Sequence, residues 1–348
     1  MSELPPAASG THRRGATDRE AVLLRATEIR IDAHGGPDRL TPVEIDLARP
    51  GAGQVLLRQT AVGVNFIDVY HRRGIFPIPA LPGAVGVEGV GIVEAAGPGV
   101  SLRPGDRVGY AGPPVGSYAS ARVMDAARLV RLPDGIPDAE AAALMLKGMT
   151  AHMLFTRVRP LRPGDAVLVH AAAGGLGLLL TQWARAAGAR VIGTVGSEAK
   201  AETARAAGCE ATILYRTQDF VAETLRLTGG EGVDVVCEGL GGPVLERSLD
   251  CLKPFGTAIN LGQAGEKLAA IDLARLGPQR SLCVSVPGVF AHLRTVPDLQ
   301  AAADEMFAMV ARGHLRPVIG LRAPLREAGA VHRRLEAGET SGATVLLP

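Results

Sequence analysis

The sequence predicts an α/β protein in which a doubly wound parallel sheet is joined to a second domain built of short β runs. Three observations carry this. Residues Ala166 to Gly177 read as a buried strand, a tight glycine turn and the start of a helix. Beyond them, apolar runs at Arg190 to Thr194, Ala211 to Leu214, Val233 to Cys237, Gly256 to Leu261 and Ser281 to Val286 alternate with helical stretches. That makes about six strands, the count of two βαβαβ halves. Before them, from Ala21 to about Arg131, short β runs such as Gln54 to Val62 and Val85 to Ala95 are broken by glycine and proline.

Composition sets the class. The 348 residues suit about two domains, and a hydrophobic fraction of 47% is ample for a large core. A net charge of +2, with 35 acidic residues spread among 37 basic ones, gives no footprint for nucleic acid. The 4 cysteines, Cys209, Cys237, Cys251 and Cys283, lie far apart with no C-x-x-C pair, so buried thiols are expected rather than disulfides or a zinc knuckle. No apolar run reaches the roughly 18 residues that span a bilayer. Arg13-Arg14 is not followed by the apolar core of a twin-arginine signal, and a cytoplasmic protein is expected.

In chain order, residues 1–20 are rich in Pro, Ser, Gly and Arg without apolar periodicity and read as a flexible extension. Two Pro-Gly-Asp turns, at Arg103 to Val108 and Arg162 to Val167, each precede an apolar strand. Between them Pro137 opens a run of strong helix formers to Lys147, expected to bridge the two domains. From Ala166 the dinucleotide fingerprint falls on Ala172, Gly174 and Gly177, with Gly175 and Leu176 inside the turn. One position turns the chain, one admits a pyrophosphate to the backbone, and one lets helix pack on strand. The phosphates would then lie at a helix N-terminus, where unpaired N–H groups favour anions. After Val289 the pattern is helical over Asp298 to Arg312 and Arg326 to Ala337. It ends in the apolar Ala343 to Leu347, a strand that could return to the first domain.

The second strand of the fingerprint unit ends Thr194-Val195-Gly196-Ser197, without the carboxylate that usually accepts from a ribose 2′-hydroxyl; Glu198 follows, and Lys200 comes two residues later.

Several ordered segments carry a family resemblance: Gly63-Val-Asn-Phe-Ile-Asp-Val-Tyr70, Gly86-Val-Glu-Gly-Val-Gly91, Leu146-Lys-Gly-Met-Thr150, His170-Ala-Ala-Ala-Gly-Gly-Leu-Gly177, Gly193-Thr-Val-Gly-Ser-Glu-Ala-Lys200 and Glu246-Arg-Ser-Leu-Asp-Cys-Leu252. From about Ala21 to Pro348 the chain resembles the zinc-free quinone oxidoreductases of the zeta-crystallin type, in the medium-chain dehydrogenase/reductase superfamily. The resemblance implies a GroES-like catalytic domain of residues 21–147 and 289–348. A Rossmann NADP-binding domain of residues 148–288, a cleft between the two and a homodimer are also implied. Zinc-dependent relatives hold their catalytic metal with cysteine, histidine and a further cysteine or acid. Here Asn65 stands for the cysteine and Val87 for the histidine, so no metal site is expected, and Glu88 reads as a structural acid.

The resemblance further implies hydride transfer from NADPH to a quinone, with Asn65 and Tyr70 in the cleft as hydrogen-bond donors to the acceptor oxygen. A local backbone bond for Asn65 and simple packing for Tyr70 are the alternatives; His71 beside them reads as solvated. Lys200 and Tyr215, with Ser197 and Gly196, match the family's 2′-phosphate site, although an arginine of close relatives is replaced by Gly338 and a cofactor-side tyrosine by Met153. Thr150 near the nicotinamide ribose, Leu261, Gly262 and Gln263 after the fifth strand, and Val286, Pro287 and Gly288 after the sixth complete the implied contacts. The same frame serves enoyl or enone reductases, which reduce a carbon–carbon double bond beside a carbonyl. Family members also show crystallin-like and nucleotide-dependent RNA-binding behaviour, against which an aromatic content of 3% argues here.

Overall fold

A computed structural model describes residues 22–267 and 270–348; the N-terminal extension expected over residues 1–20 lies outside the described residues. The chain opens with the antiparallel pair β1 (Val22–Ile31) and β2 (Thr41–Ala48). Next come β3 (Gln54–Val64), the short helix α1 (Phe66–Arg72), the two-residue β4 (Gly83–Ala84), β5 (Glu88–Ala96), β6 (Arg107–Ala111), β7 (Ala121–Asp125) and β8 (Val130–Arg131). β4 extends the β1–β2 sheet, while β3, β5, β6 and β8 lie side by side and β7 pairs with β3. Val55, Leu57, Val93, Val108 and Met124 close the core of this β-rich half.

Helix α2 (Asp138–Met153) leaves Pro137, whose fixed φ suits the position before a first turn, and is buried along almost its whole length. Its alanines, leucines and methionines pack on both sides, so it has no solvent stripe to set a strong amphipathic period. The helix runs unbroken through positions 147 and 148, and the two halves of the chain are therefore joined by a rigid element rather than a linker. Leu144, Met145 and Met149 share one apolar cluster with Val167, Val169, Trp183 and Met306.

The second half is β9 (Ala166–Val169), α3 (Gly175–Ala186), β10 (Arg190–Val195), α4 (Glu198–Ala207), β11 (Ala211–Leu214), α5 (Phe220–Leu227), β12 (Val233–Glu238), α6 (Gly242–Ser248), β13 (Leu252–Asn260) and β14 (Cys283–Ser285). These six strands form one parallel sheet in the order β11-β10-β9-β12-β13-β14, the doubly wound arrangement. Then α7 (Val289–His292), α8 (Val296–Ala311), β15 (Ile319–Pro324) and α9 (Ala328–Glu336) lead to β16 (Ala343–Leu347). β16 pairs antiparallel with β3, setting Val345 opposite Gly63, so the chain end does rejoin the first sheet.

Three local expectations need correction. Among the described residues, the connection from β13 to β14 contains a single 3₁₀ turn, Leu273–Arg275, and no helix. Cys283 is exposed while the other three cysteines are buried, because β14 is the sheet's short edge strand. His71 is buried rather than solvated, since α1 is enclosed by its neighbours and Phe76 lies edge-on to the imidazole; burial holds its pKa below the usual value.

The glycine turn shows how close packing fixes the second half. A Cβ at Gly177 would overlap the Ala171 carbonyl oxygen and come within 2.9 Å of Ala172 Cα. Gly177→Ala should therefore lower stability by about 1–3 kcal/mol through overpacking against backbone that cannot give. Urea unfolding followed by circular dichroism measures it, and a midpoint equal to wild type would show that this turn is loosely packed.

Candidate active site at the carboxyl edge of the parallel sheet

In a parallel sheet all strands end on one edge, and every nucleotide-site residue expected from the sequence except Thr150 follows such an end. Gly174, Gly175, Leu176 and Gly177 lie between β9 and the first turn of α3, where backbone N–H groups have no partner within the helix. The Gly342 amide donates to the Ala173 carbonyl at 2.7 Å, and a Cβ on Gly175 would meet Ala343 Cα at 2.9 Å, so the returning C-terminal segment braces the turn. His170, just before the turn, bridges Thr194 Oγ1 at 2.9 Å and Ser248 Oγ at 3.0 Å. Burial pushes its pKa down to about 4, so it is a neutral strut.

Gly196 and Ser197 follow β10, and the Ser197 side chain caps α4. Tyr215 follows β11 with its hydroxyl over Gly196: a Cβ at Gly196 would lie 2.9 Å from that oxygen. The Lys200 ammonium donates to the Gly338 carbonyl at 2.6 Å, while Glu198 turns to Arg205 at 2.5 Å. Lysine, tyrosine and serine thus gather at one strand tip, and Glu198 beside it is already paired. Leu261, Gly262 and Gln263 follow β13, and Val286, Pro287 and Gly288 lead from β14 into α7. The Thr150 hydroxyl on α2 donates back to the Leu146 carbonyl at 2.7 Å.

On the facing side, Asn65 follows β3 and caps α1, whose Asp68 accepts from the Asn65 amide at 2.8 Å. A chain of polar contacts holds Asp68. Arg72 has only protons to give, so His332 Nδ1 accepts from it at 3.2 Å; His332 Nε2 then carries the hydrogen toward Tyr118, 2.9 Å away, and the Tyr118 hydroxyl donates to Asp68 at 3.1 Å. Burial pushes the Asp68 carboxyl up to about 7 and the His332 imidazole down to about 3.

The Glu88 carboxylate, entirely excluded from solvent, accepts from Asn65 Nδ2 at 2.8 Å, the Leu146 amide at 2.6 Å and the Lys147 ammonium at 2.9 Å. A Cβ at Gly63 would overlap this carboxylate and the Ala142 carbonyl, so glycine is needed for α2 to approach. Tyr70, on α1, is buried, and its hydroxyl oxygen accepts from the Gln263 amide at 2.9 Å. Burial raises its pKa, which keeps the hydroxyl protonated and able to donate onward. No bond joins Asn65 to Tyr70: one is drawn to Glu88 and the other to the loop after β13.

No role is expected from the sequence for Lys147 or Glu238, while Glu88 is the structural acid expected. Lys147 could have been noticed as one cation inside an otherwise apolar helix, and Glu238 as one acid ending an apolar strand. Glu238 is fully buried at the end of β12. It accepts from the Leu240 amide, from the Gly241 amide at 2.8 Å and from Asn260 Nδ2 at 2.9 Å; the same Asn260 amide also donates to Gly262. One carboxylate therefore fixes the loops after β12 and β13 together.

Removing the cation from the Glu88 pair should leave an uncompensated buried charge. Lys147→Met should cost about 3–5 kcal/mol of unfolding free energy, and Lys147→Met with Glu88→Gln should recover much of it. A chemical denaturation series checks both; a loss below about 1 kcal/mol in the single variant would mean that the pair is not electrostatically committed.

Comparison with known proteins places this geometry. A family model described as alcohol dehydrogenase GroES-like domain matches residues 51–134, and one described as zinc-binding dehydrogenase matches residues 175–305. The chain is 43% identical over 324 residues to the quinone oxidoreductase of Pseudomonas aeruginosa, covering 93% of this chain and 100% of that one. It is likewise 43% identical over 326 residues to the 2-haloacrylate reductase of a Burkholderia species, covering 91% and 98%. The crystal structure of Escherichia coli quinone oxidoreductase complexed with NADPH superposes with a TM-score of 0.89 at 38% identity, covering 92% of this chain and 100% of that one. With both domains matched and identity sustained over the full length of these relatives, the chain belongs to the zeta-crystallin-like quinone oxidoreductases of the medium-chain dehydrogenase/reductase superfamily.

Proposed function

We propose that this protein reduces quinones with NADPH, without a metal, in the cleft between α1 and the carboxyl edge of the parallel sheet. The observation that carries the reading is the Lys147 ammonium 2.9 Å from Glu88, beside Asn65, where the resemblance puts zinc ligands in other members. Glu88 already has its counter-cation, Asn65 and Val87 are poor zinc donors, and an acceptor needing little Lewis-acid help suits such a site. The family description that mentions zinc therefore does not extend to these positions.

The nucleotide side fits NADPH. The α3 turn offers unpaired backbone N–H groups to a pyrophosphate, and Lys200, Tyr215 and Ser197 offer donors to a 2′-phosphate. NADPH, when bound, supplies the hydride. As the acceptor takes the electron pair, negative charge grows on its carbonyl oxygen; the Asn65 amide, with a second N–H beyond the one given to Glu88, and the Tyr70 hydroxyl are the donors for that oxygen. A proton passed from Tyr70, replaced from solvent, completes the hydroquinone. The Gln263 amide fixes the Tyr70 oxygen without using its hydrogen.

The second reading is reduction of an activated alkene, favoured by the equal 43% identity to a 2-haloacrylate reductase. Both acceptors are conjugated carbonyls and would use the same donors. A homodimer is part of the proposal: β14 presents an open edge, with Phe255 and Leu273 nearby at 78% and 77% exposure. Among the described residues no helix is long and apolar enough to cross a membrane, and a cytoplasmic site of action is the reading we adopt.

Steady-state assays with NADPH against a panel of benzoquinones, naphthoquinones, cyclohexenone and 2-chloroacrylate should rank the quinones first by kcat/KM; turnover of 2-chloroacrylate alone would transfer the assignment to alkene reduction. Within that panel Tyr70→Phe should reduce kcat for a slow quinone about five- to 150-fold, as expected for one lost transition-state hydrogen bond of roughly 1–3 kcal/mol. Unaltered kcat where chemistry limits would assign the tyrosine to holding Gln263 only.

A further inference from the structure

We propose that Arg216 is the second cation of the 2′-phosphate subsite, standing in this chain for the side chain that Gly338 lacks. The inference rests on the NADPH reading and adds a specificity residue to it. β11 runs parallel to β10 with Leu214 opposite Val195, so the residues just past β11, Tyr215 and Arg216, come to lie beside those just past β10, Gly196 and Ser197. A Cβ at Gly196 would stand 2.9 Å from the Tyr215 hydroxyl and 3.4 Å from Arg216 Nε; glycine keeps that space clear.

Arg216 enters no ion pair among the described residues; Glu198 is held by Arg205 at 2.5 Å and Asp219 by Arg247 at 2.6 Å. Lys200 is tethered to the Gly338 carbonyl at 2.6 Å, which uses one of its hydrogens and leaves the others free. Burial, and after it the charge of Arg216, hold the Lys200 ammonium below its ordinary pKa. Two cations that converge with no carboxylate between them repel each other, and a dianion reverses that sign. A phosphate monoester meets every group present: the planar guanidinium can take two oxygens side by side, the ammonium acts as a point charge, and the tyrosine hydroxyl donates to the remaining oxygen. A bare ribose hydroxyl would leave both cations uncompensated.

The test is direct binding, independent of turnover. Isothermal titration of the full-length wild type, Arg216→Ala and Arg216→Lys with 2′,5′-ADP and with 5′-AMP isolates the 2′-phosphate. Wild type should prefer 2′,5′-ADP by tenfold or more. Arg216→Ala should lose about tenfold in 2′,5′-ADP affinity while 5′-AMP stays nearly unchanged, and Arg216→Lys should recover part of the loss. Circular dichroism melting confirms that the variants are folded. Equal 2′,5′-ADP affinity in wild type and Arg216→Ala, with the wild-type preference intact, would overturn the assignment of Arg216 alone. A wild type indifferent to the 2′-phosphate would overturn the NADPH reading together with it.

Discussion

The Glu88 carboxylate, with no exposed surface, accepts hydrogen bonds from Asn65 at the start of α1 and from the Leu146 amide and Lys147 ammonium in the middle of α2. Those donors belong to the catalytic half and to the helix that carries the chain into the nucleotide half. A buried carboxylate demands full pairing, since a lone charge in a low-dielectric interior costs several kcal/mol. The demand fixes α2 against β5, gives Gly63 its necessity, and holds the Asn65 amide in place. In the metal-free reading proposed above, the Lys147 ammonium supplies the positive charge that a metal supplies in other branches of the superfamily.

Glu238 does for the opposite wall what Glu88 does for this one. By collecting three donors at the end of β12 it holds the loops that follow β12 and β13, and the second of those loops donates to Tyr70. Burial raises the carboxyl pKa of Glu238, and its three donors oppose the shift. The end of β3 and the loop after β13 are therefore each held by a buried acid, while apolar packing surrounds α2. Asp68, Tyr118 and His332 extend the same logic to α9, so that the C-terminal helix steadies the helix carrying Asn65 and Tyr70.

What could be read from the sequence was local. The glycine turn, the parallel strands and the returning C-terminal strand each announce themselves within a dozen residues, through apolar runs and turn chemistry. The strand-tip cluster of Gly196, Ser197, Lys200 and Tyr215 was visible because a family pattern supplied the long-range pairing that spacing alone lacks. Lys147 was in plain view yet unreadable as a partner of Glu88, because the two are 59 residues apart and meet only when α2 docks on β5. His71 read as solvated because polarity was the only local cue, whereas enclosure of α1 is a tertiary fact. Arg216 was passed over beside Tyr215 for the same reason: its relation to Lys200 exists only across neighbouring strands.

In the proposed mechanism a lysine ammonium, rather than a metal, stands at the Glu88 carboxylate. Diffraction data collected on both sides of the zinc absorption edge, from crystals grown with excess zinc and NADPH, would test it at the atoms concerned. The prediction is no anomalous peak between Asn65 and Glu88, with Lys147 Nζ within hydrogen-bond distance of the carboxylate. A zinc peak at bonding distance from Glu88, with the lysine displaced, would contradict it.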